Sequence, residues 1–494
     1  MLMRNSLHNL RRFTTLLGCR RPRYIVPLRS IHHVVPDCRY TDETPTRPRD
    51  EPPFGFPAAA PHLRWVMLDR YDSRSNSVAD AKTVAEALDS TGRNLRVSTA
   101  PTNEDYDDDD CDDYDENEEN HDMQIIATHG DSVLLEKQQR VHRFSRATYD
   151  YFVYRASSAA AARPASLSLL PERRFLMKCE EGRPTLKHPR EHMLFDETTG
   201  LLRRSDDELL VVDLRFDYKN NSELRDSSAE LCVLRHGGSR DDDQWELIRE
   251  VPIVLDNNGS SSSKCSNNKL HQRQWRCSNR VIPVSNRFLC WVDYIHGLLM
   301  CDMDETKPKL RYVPLPMAPF VKGSTGFFGI SDDNWIEDNI QYTRNMCASG
   351  SDDAVRLVSI DPRCCCGGPV HGWSTCSRSR FAFTITTWTL SLTTMDDDQQ
   401  QPMAWVKEGV IDSEEIWAQR GCEEIPHVLA DNPVVSMENP DVVCFTVRER
   451  GGCMGKQVWL IEVDTKSKAV QSVCTTQESE GYGRLPAKLM CADQ

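Results

Sequence analysis

Leu209-Leu210-Val211-Val212 and Phe288-Leu289-Cys290-Trp291-Val292 are unbroken apolar runs, and Val458-Trp459-Leu460-Ile461 repeats the pattern near the carboxyl end. A strand with one face in water alternates apolar and polar residues; a strand buried on both faces does not. Few stretches around these runs keep a 3.6-residue period, so crossover helices are not available to cover a sheet. Stacked four-stranded blades bury their middle strands on both sides without helices, and the runs therefore predict a β-propeller.

Outward from these runs, short segments rich in Val, Ile, Phe, Trp and Tyr recur between polar turns. They read as strands at Trp65–Asp69, Tyr151–Ala156, Phe175–Cys179, Leu209–Phe216, Glu230–Arg235, Trp245–Val251, Arg287–Tyr294, Leu298–Cys301 and Leu310–Leu315. Further strands are expected at Val355–Ile360, Phe381–Leu392, Met403–Lys407, Val442–Arg448, Val458–Val463 and Ala469–Val473, with helix confined to short pieces such as Ser77–Leu88 and Glu414–Ala418. One hairpin shape, an apolar strand ending in Asp before a Thr or Lys turn, recurs at Met193–Thr198, Met300–Thr306 and Leu460–Thr465. Asp196, Asp304 and Asp464 are 108 and 160 residues apart, so no constant blade period emerges. The expected fold is all-β, a β-propeller-like domain of five to seven irregular blades over residues 62–475; a β-sandwich array is the alternative, because the same hairpins would serve it.

Charge is unevenly spread. Residues 1–36 carry seven arginines and no acid, residues 104–122 carry thirteen acids and no Lys or Arg, and the formal net charge of −15 leaves −9 for the remainder. Such a body lacks the basic footprint that binding to a phosphate backbone needs, so nucleic acid is not an expected partner. No apolar run approaches the length of a membrane span, and no membrane contact is expected. The nineteen cysteines are scattered, with no C-x-x-C, which suits buried thiols in a reducing compartment better than a disulfide scaffold.

Residues 1–61 read as a basic, proline-rich, disordered extension. Leu2, Leu7, Leu10, Phe13, Leu16 and Leu17 fall at roughly helical spacing among its arginines, as in a mitochondrial transit peptide; a plain basic tail is the other reading. The expected location is intracellular, either mitochondrial or, without import, cytoplasmic or nuclear. The acidic insertion 104–122 and the segments 157–162, 257–268 and 396–401 are of low complexity and read as disordered loops, and residues 476–494 as a tail.

Two motifs invite a metal reading. His188-Pro189-Arg190-Glu191-His192 fits the H-x-x-E-H pattern of some zinc peptidases, which needs a helix to put both imidazoles on one face. Pro189 and the strands expected at Phe175–Cys179 and Met193–Phe195 argue for an extended segment instead. Cys364, Cys365, Cys366, His371 and Cys376 supply zinc-ligand chemistry, but adjacent cysteines on an extended chain cannot all face one ion, and Gly367-Gly368-Pro369 suits a hairpin tip. No nucleophile elbow, phosphate loop or dinucleotide fingerprint is present, and Asp493 spoils the prenylation box that Cys491 would open. Trp291, Trp388, Trp405 and Trp459 sit inside apolar strands, as core side chains do.

The sequence resembles the plant proteins that carry the domain of unknown function 1618, a family expanded in grasses. The words that carry the resemblance are Trp65–Arg70, Gly200–Arg204, Glu230–Arg235, Arg287–Tyr294, Gly297–Asp302 and Leu310–Pro316, followed by Val358–Gly367, Arg380–Leu390 and Pro440–Phe445. They fall in order across residues 62–475. The resemblance implies a plant protein with a propeller-like architecture similar to that found beside F-box modules. It brings no established activity and no catalytic set. Residues 1–61 do not resemble an F-box, so a ubiquitin-ligase adaptor role does not come with it. The expected function is a non-enzymatic, protein-binding β-scaffold without cofactor or metal, whose catalytic residues, if any, are unknown. The alternative is a hydrolase or lactonase-type enzyme with a metal in the propeller's central channel, which requires acids or histidines from several blades to converge on the axis.

Overall fold

The computed structural model describes residues 30–31, 66–68, 85–92, 94–97, 123–139, 148–157, 163–172, 174–175, 190–191, 193–217, 228–237, 244–255, 278–317, 340–348, 353–364, 381–392, 403–436, 439–448, 457–477 and 485–487. The protein is almost all β, and its blades form a β-propeller. The β-sandwich array is thereby set aside. Five antiparallel meanders follow one another along the chain, each with its first strand innermost. Blade 1 is Met123–His129, Ser132–Gln139, Thr148–Arg155 and Ser166–Leu169. Blade 2 is Thr199–Arg203, Glu208–Asp217, Ser228–Gly237 and Trp245–Val251. Blade 3 is Arg280–Val284, Phe288–Asp293, Gly297–Asp302 and Leu310–Pro314, with Ile253–Leu255 added parallel to its outer edge. Blade 4 is Arg344–Ala348, Ala354–Pro362, Phe383–Ser391 and Trp405–Asp412; blade 5 is Ala430–Val435, Val442–Arg448, Gln457–Asp464 and Val470–Gln477. Innermost strands of successive blades lie side by side.

The apolar runs explain the stacking. Leu209 and Val211 belong to the core shared with blade 1, whereas Leu210 and Val212 belong to the core shared with blade 3. In blade 3, Leu289 and Trp291 face blade 2, and Phe288, Cys290 and Val292 face blade 4. Val358, Ile360, Phe383, Val443, Phe445 and Ile461 close the seam between blades 4 and 5. Successive seams are also pinned by indole N–H groups: Trp291 Nε1 donates to the Thr198 carbonyl at 2.7 Å, Trp245 Nε1 to Pro171 at 3.0 Å and Trp405 Nε1 to Pro314 at 2.8 Å. In each case the acceptor lies at or beyond the edge of the preceding blade. Gly200 permits close approach at one seam, since a Cβ there would stand 2.7 Å from Val281 Cγ1 and 2.8 Å from Leu289 Cδ2.

Both chain ends contribute to a further sheet. Ser30–Ile31 pairs with Val66–Leu68, which pairs with Leu485–Ala487, and the last of these lies beside the innermost strand of blade 1. A hairpin, Ala85–Leu88 with Asn94–Val97, packs Ala85, Ala87, Leu95 and Val97 on the face of blade 1 that looks away from blade 2. Its turn is fastened by a buried ion pair, Lys137 Nζ to Asp89 Oδ2 at 2.8 Å, and by Ser90, whose amide and hydroxyl both donate to Asp150.

Two local expectations need correction. Ala85–Leu88 is a strand and not the end of a helix, because its backbone pairs with Asn94–Val97 across a turn whose Gly92 takes φ +83°; residues 77–84 lie outside the described residues. Met193–Phe195 is not a strand, and Asp196–Thr198 form a turn, with Thr199 N donating to the Phe195 carbonyl, that delivers the chain into blade 2. The other two hairpins do join third and outermost strands, and Asp302 and Asp464 each accept amides of their turns. The helix expected at Glu414–Ala418 is present as Ser413–Trp417, started by a capping box between Asp412 and Glu415. The acidic run 104–122 and the segments 257–268 and 396–401 lie outside the described residues, as does 157–162 beyond Ser157. Of residues 1–61, Ser30 and Ile31 alone are described. No described helix is long and apolar enough to cross a membrane. Six of the eight described free cysteines are buried, and burial pushes the Cys301 thiol up to about 12 and Cys347 up to about 11, so they pack as small apolar groups.

Blade 1 holds a carboxyl in its interior. Glu136 lies on the second strand and accepts from Tyr151 Oη at 3.0 Å, while Tyr151 Oη accepts the Leu194 amide at 2.9 Å. Burial drives the Glu136 pKa from 4.5 up to about 7, against the lowering effect of Tyr151. The folded state therefore keeps a proton that the unfolded chain releases near 4.5. The resulting stabilisation is complete below that pH and fades as pH rises through about 7.

Two outcomes follow from these seams. Trp291→Ala removes both the packing and the inter-blade hydrogen bond, and urea unfolding is expected to show a loss of about 3–5 kcal/mol; a loss below about 1 kcal/mol would show that the seam is not packed as described. Glu136→Gln keeps the shape and abolishes the titration, so its stability relative to the parent should rise by about 3 kcal/mol between pH 4.5 and pH 8. Parallel stability–pH curves for the two proteins would place the Glu136 carboxyl in solvent.

Candidate functional site

An antiparallel meander sends its first and third turns to the same end of the ring. Charged side chains gather there. Asp131, in the first turn of blade 1, is buried and accepts from Arg203 Nη1 at 2.6 Å, from Arg163 Nη2 and from Ser132 Oγ at 3.1 Å. Arg203 ends the innermost strand of blade 2, and Arg163 precedes the outermost strand of blade 1. Arg155, closing the third strand of blade 1, donates through Nη1 to the Asp206 carbonyl at 2.9 Å, while Arg203 Nη2 reaches the Asp206 carboxylate. Gly237 lets this corner close, since a Cβ there would stand 2.0 Å from the Asp207 carbonyl oxygen.

The pairing continues around the ring. Arg204 of blade 2 contacts Asp304 of blade 3 and donates to the Met303 carbonyl at 3.2 Å. Arg287 forks onto Asp302, with Nε at 3.0 and 2.9 Å from its two oxygens and Nη2 at 2.6 Å from one of them. Burial pushes the Asp302 carboxyl up, but the bonds from Arg287 and the Asp304 amide outweigh it and hold the group below its usual range. Ser285 of blade 3 donates to Asp353 of blade 4. A girdle of charge-assisted contacts thus crosses three successive seams at one end of the ring.

His129 lies under this girdle. Its Nδ1 accepts the Arg203 amide at 2.8 Å, which leaves the proton of the neutral ring on Nε2. Burial, then the charge of Arg203, lowers its pKa to about 4, against the opposing influence of Asp131, so the imidazole stays neutral at physiological pH. At the other end of the ring Arg344, the first residue of blade 4, is buried and donates to the Tyr294 carbonyl at 2.5 Å. Asp293 there holds the Ile295 and His296 amides and the His296 ring, and Arg363 pairs with Asp412.

The sequence motifs find a different outcome. Arg190–Glu191 pairs antiparallel with Arg174–Phe175, so the centre of the H-x-x-E-H motif is extended and the helix a zinc peptidase needs is not formed there. His188 and His192 lie outside the described residues, as do Cys365, Cys366, His371 and Cys376, while Cys364 is described and half-buried. Among the described residues, no three His, Cys, Asp or Glu are placed to hold a metal ion. The innermost strands of the five blades carry Asp431 and His129 as their described acid and imidazole. Both are committed: Asp431 accepts from Thr446 Oγ1 and Asn432 Nδ2, and His129 from Arg203. Trp291, Trp388 and Trp459 are core side chains, and Trp405 is half-buried against the seam between blades 3 and 4. The girdle had one visible trace, the string Arg203-Arg204-Ser205-Asp206-Asp207.

Comparison with known proteins places this architecture beside one family. No curated protein matches the chain. Residues 291–444, from the second strand of blade 3 to the second strand of blade 5, match the model of a family described as protein of unknown function (DUF1618), which supports kinship with that family.

Proposed function

We propose that the chain is a non-enzymatic scaffold that binds another protein through the turns at the girdled end of its ring. The observation that carries this reading is the girdle itself, in which charged side chains are held by contacts that cross from blade to blade. Side chains whose positions are set before a partner arrives lose little entropy on binding, and fixed charges select and steer the partner. Turns on a rigid ring can vary without disturbing the seams beneath them. On this reading the partner is a protein, since the acidic body suits neither nucleic acid nor an anionic membrane. The family kinship is read as reaching over residues 62–475, on the ordered words that begin at Trp65–Arg70 and run through blades 2 to 5, and the source as a plant. The arginine-rich residues 1–36 support an intracellular, mitochondrial destination.

Proximity labelling in plant cells, with the full chain and with an Arg204→Glu, Arg287→Glu variant, tests the scaffold reading. A reproducible set of proteins labelled by the parent and depleted around the variant is expected. The absence of any reproducible set, or an identical set around a folded variant, would count against it. For the destination, residues 1–40 fused to a fluorescent reporter should mark mitochondria, and a diffuse signal would remove that part of the proposal.

A further inference from the structure

We propose that the seam between blades 1 and 2, at the girdled end, grips a phosphomonoester group carried by the protein partner, with Arg155, Arg163 and Arg203 as its donors. The proposal rests on the scaffold reading and names the chemistry of the partner. Three guanidinium groups come here from three separate segments: the end of a third strand, the turn before an outermost strand, and the end of the next blade's innermost strand. Asp131 is the buried carboxylate among them, and it is already engaged by Arg203, Arg163 and Ser132. Its role is to hold two forks side by side, and among the described residues it is the one buried acid beside them; Asp207, whose charge also reaches Arg155, is exposed to solvent. Asp206, which meets Arg203, is largely in solvent, where its charge is screened.

Donor capacity is left over. A guanidinium offers five N–H groups in a plane. Among the described residues, Arg155 uses one of them, on a carbonyl, and meets no carboxylate at ion-pair distance. Arg163 uses its Nη2 on Asp131, while its Nε is buried without an acceptor among the described residues. Burial, then the neighbouring charge of Arg163, lowers the Arg155 pKa, with Arg203 adding to the effect against the opposing charges of Asp131 and Asp207; a bound anion would relieve it further.

The choice of anion follows from charge. A phosphomonoester brings a charge of about −1.5 to −2 and three acceptor oxygens, a better match to three forks than the single charge of a carboxylate. A long polyanion would have to lie along a body that is acidic overall, at −15 for the chain. A single compact group avoids that repulsion.

Isothermal titration of the full chain with inorganic phosphate and with O-phosphoserine, at constant ionic strength, tests the assignment. Saturable binding of both is expected, weakened about tenfold or more in Arg155→Gln and in Arg163→Gln. Should either variant unfold, the parent alone still decides: phosphate should raise its unfolding midpoint more than chloride at equal ionic strength. No saturable binding to the parent overturns the proposal, as do folded variants that bind like the parent. Glutamate binding as tightly as O-phosphoserine, or an oligonucleotide binding more tightly than either, overturns the phosphomonoester assignment. The labelling experiment reads partner capture without reference to phosphate, so failure here leaves the scaffold reading standing, and failure there leaves the anion site to be judged by titration.

Discussion

Burial of the middle strands on both faces is the constraint from which the rest of this protein follows. Leu209 to Val212 divide between two seams, residue by residue, and Phe288 to Val292 do the same one blade later. A strand built this way is stable only when a sheet stands on each side of it, so no blade is complete alone. The same composition weakens register, because a one-residue slip exchanges one apolar face for another. Turn chemistry supplies what the pattern lacks. Asp293, Asp302 and Asp464 tie their own turns through backbone amides, and Gly200 fits where a larger residue would strike Val281 and Leu289.

The girdle depends on that stacking. Its partners are distant in the chain, with 72 residues between Arg203 and Asp131 and 99 between Arg204 and the Met303 carbonyl, and they meet because successive blades present the same turns at the same end. A charged surface fixed this way belongs to the ring as a body and to no single blade. Binding at that end would draw on a preorganised surface, and loosening any of the first three seams would disorder it.

The second, third and outermost strands were largely legible in the sequence because apolar runs survive wherever both sides are covered. The innermost strands were not. Arg280–Val284, Arg344–Ala348 and Ala430–Val435 contain Pro283, Asn345 and Pro433, and their inner edges have no strand partner among the described residues. An edge tolerates proline and polar residues, so the pattern that marks a middle strand is erased there. Ser77–Leu88 read as helix from local spacing, yet Ala85–Leu88 pairs with Asn94–Val97, a tertiary choice that spacing does not record. For the site, the arginines and aspartates at 203 to 207 were visible as a string, but Asp131, Arg155 and Arg163 join them only through the fold. The two metal-like motifs were visible for the opposite reason: residue types at short spacing, without the helix or the separation that coordination demands.

Native-state hydrogen exchange tests the shared burial most directly. If each middle strand depends on the blades beside it, the amides of Ser132–Gln139, Glu208–Asp217, Phe288–Asp293, Ala354–Pro362 and Val442–Arg448 should exchange in one slow class, through a single opening of the ring. Five separate classes, each blade opening with its own free energy, would contradict it.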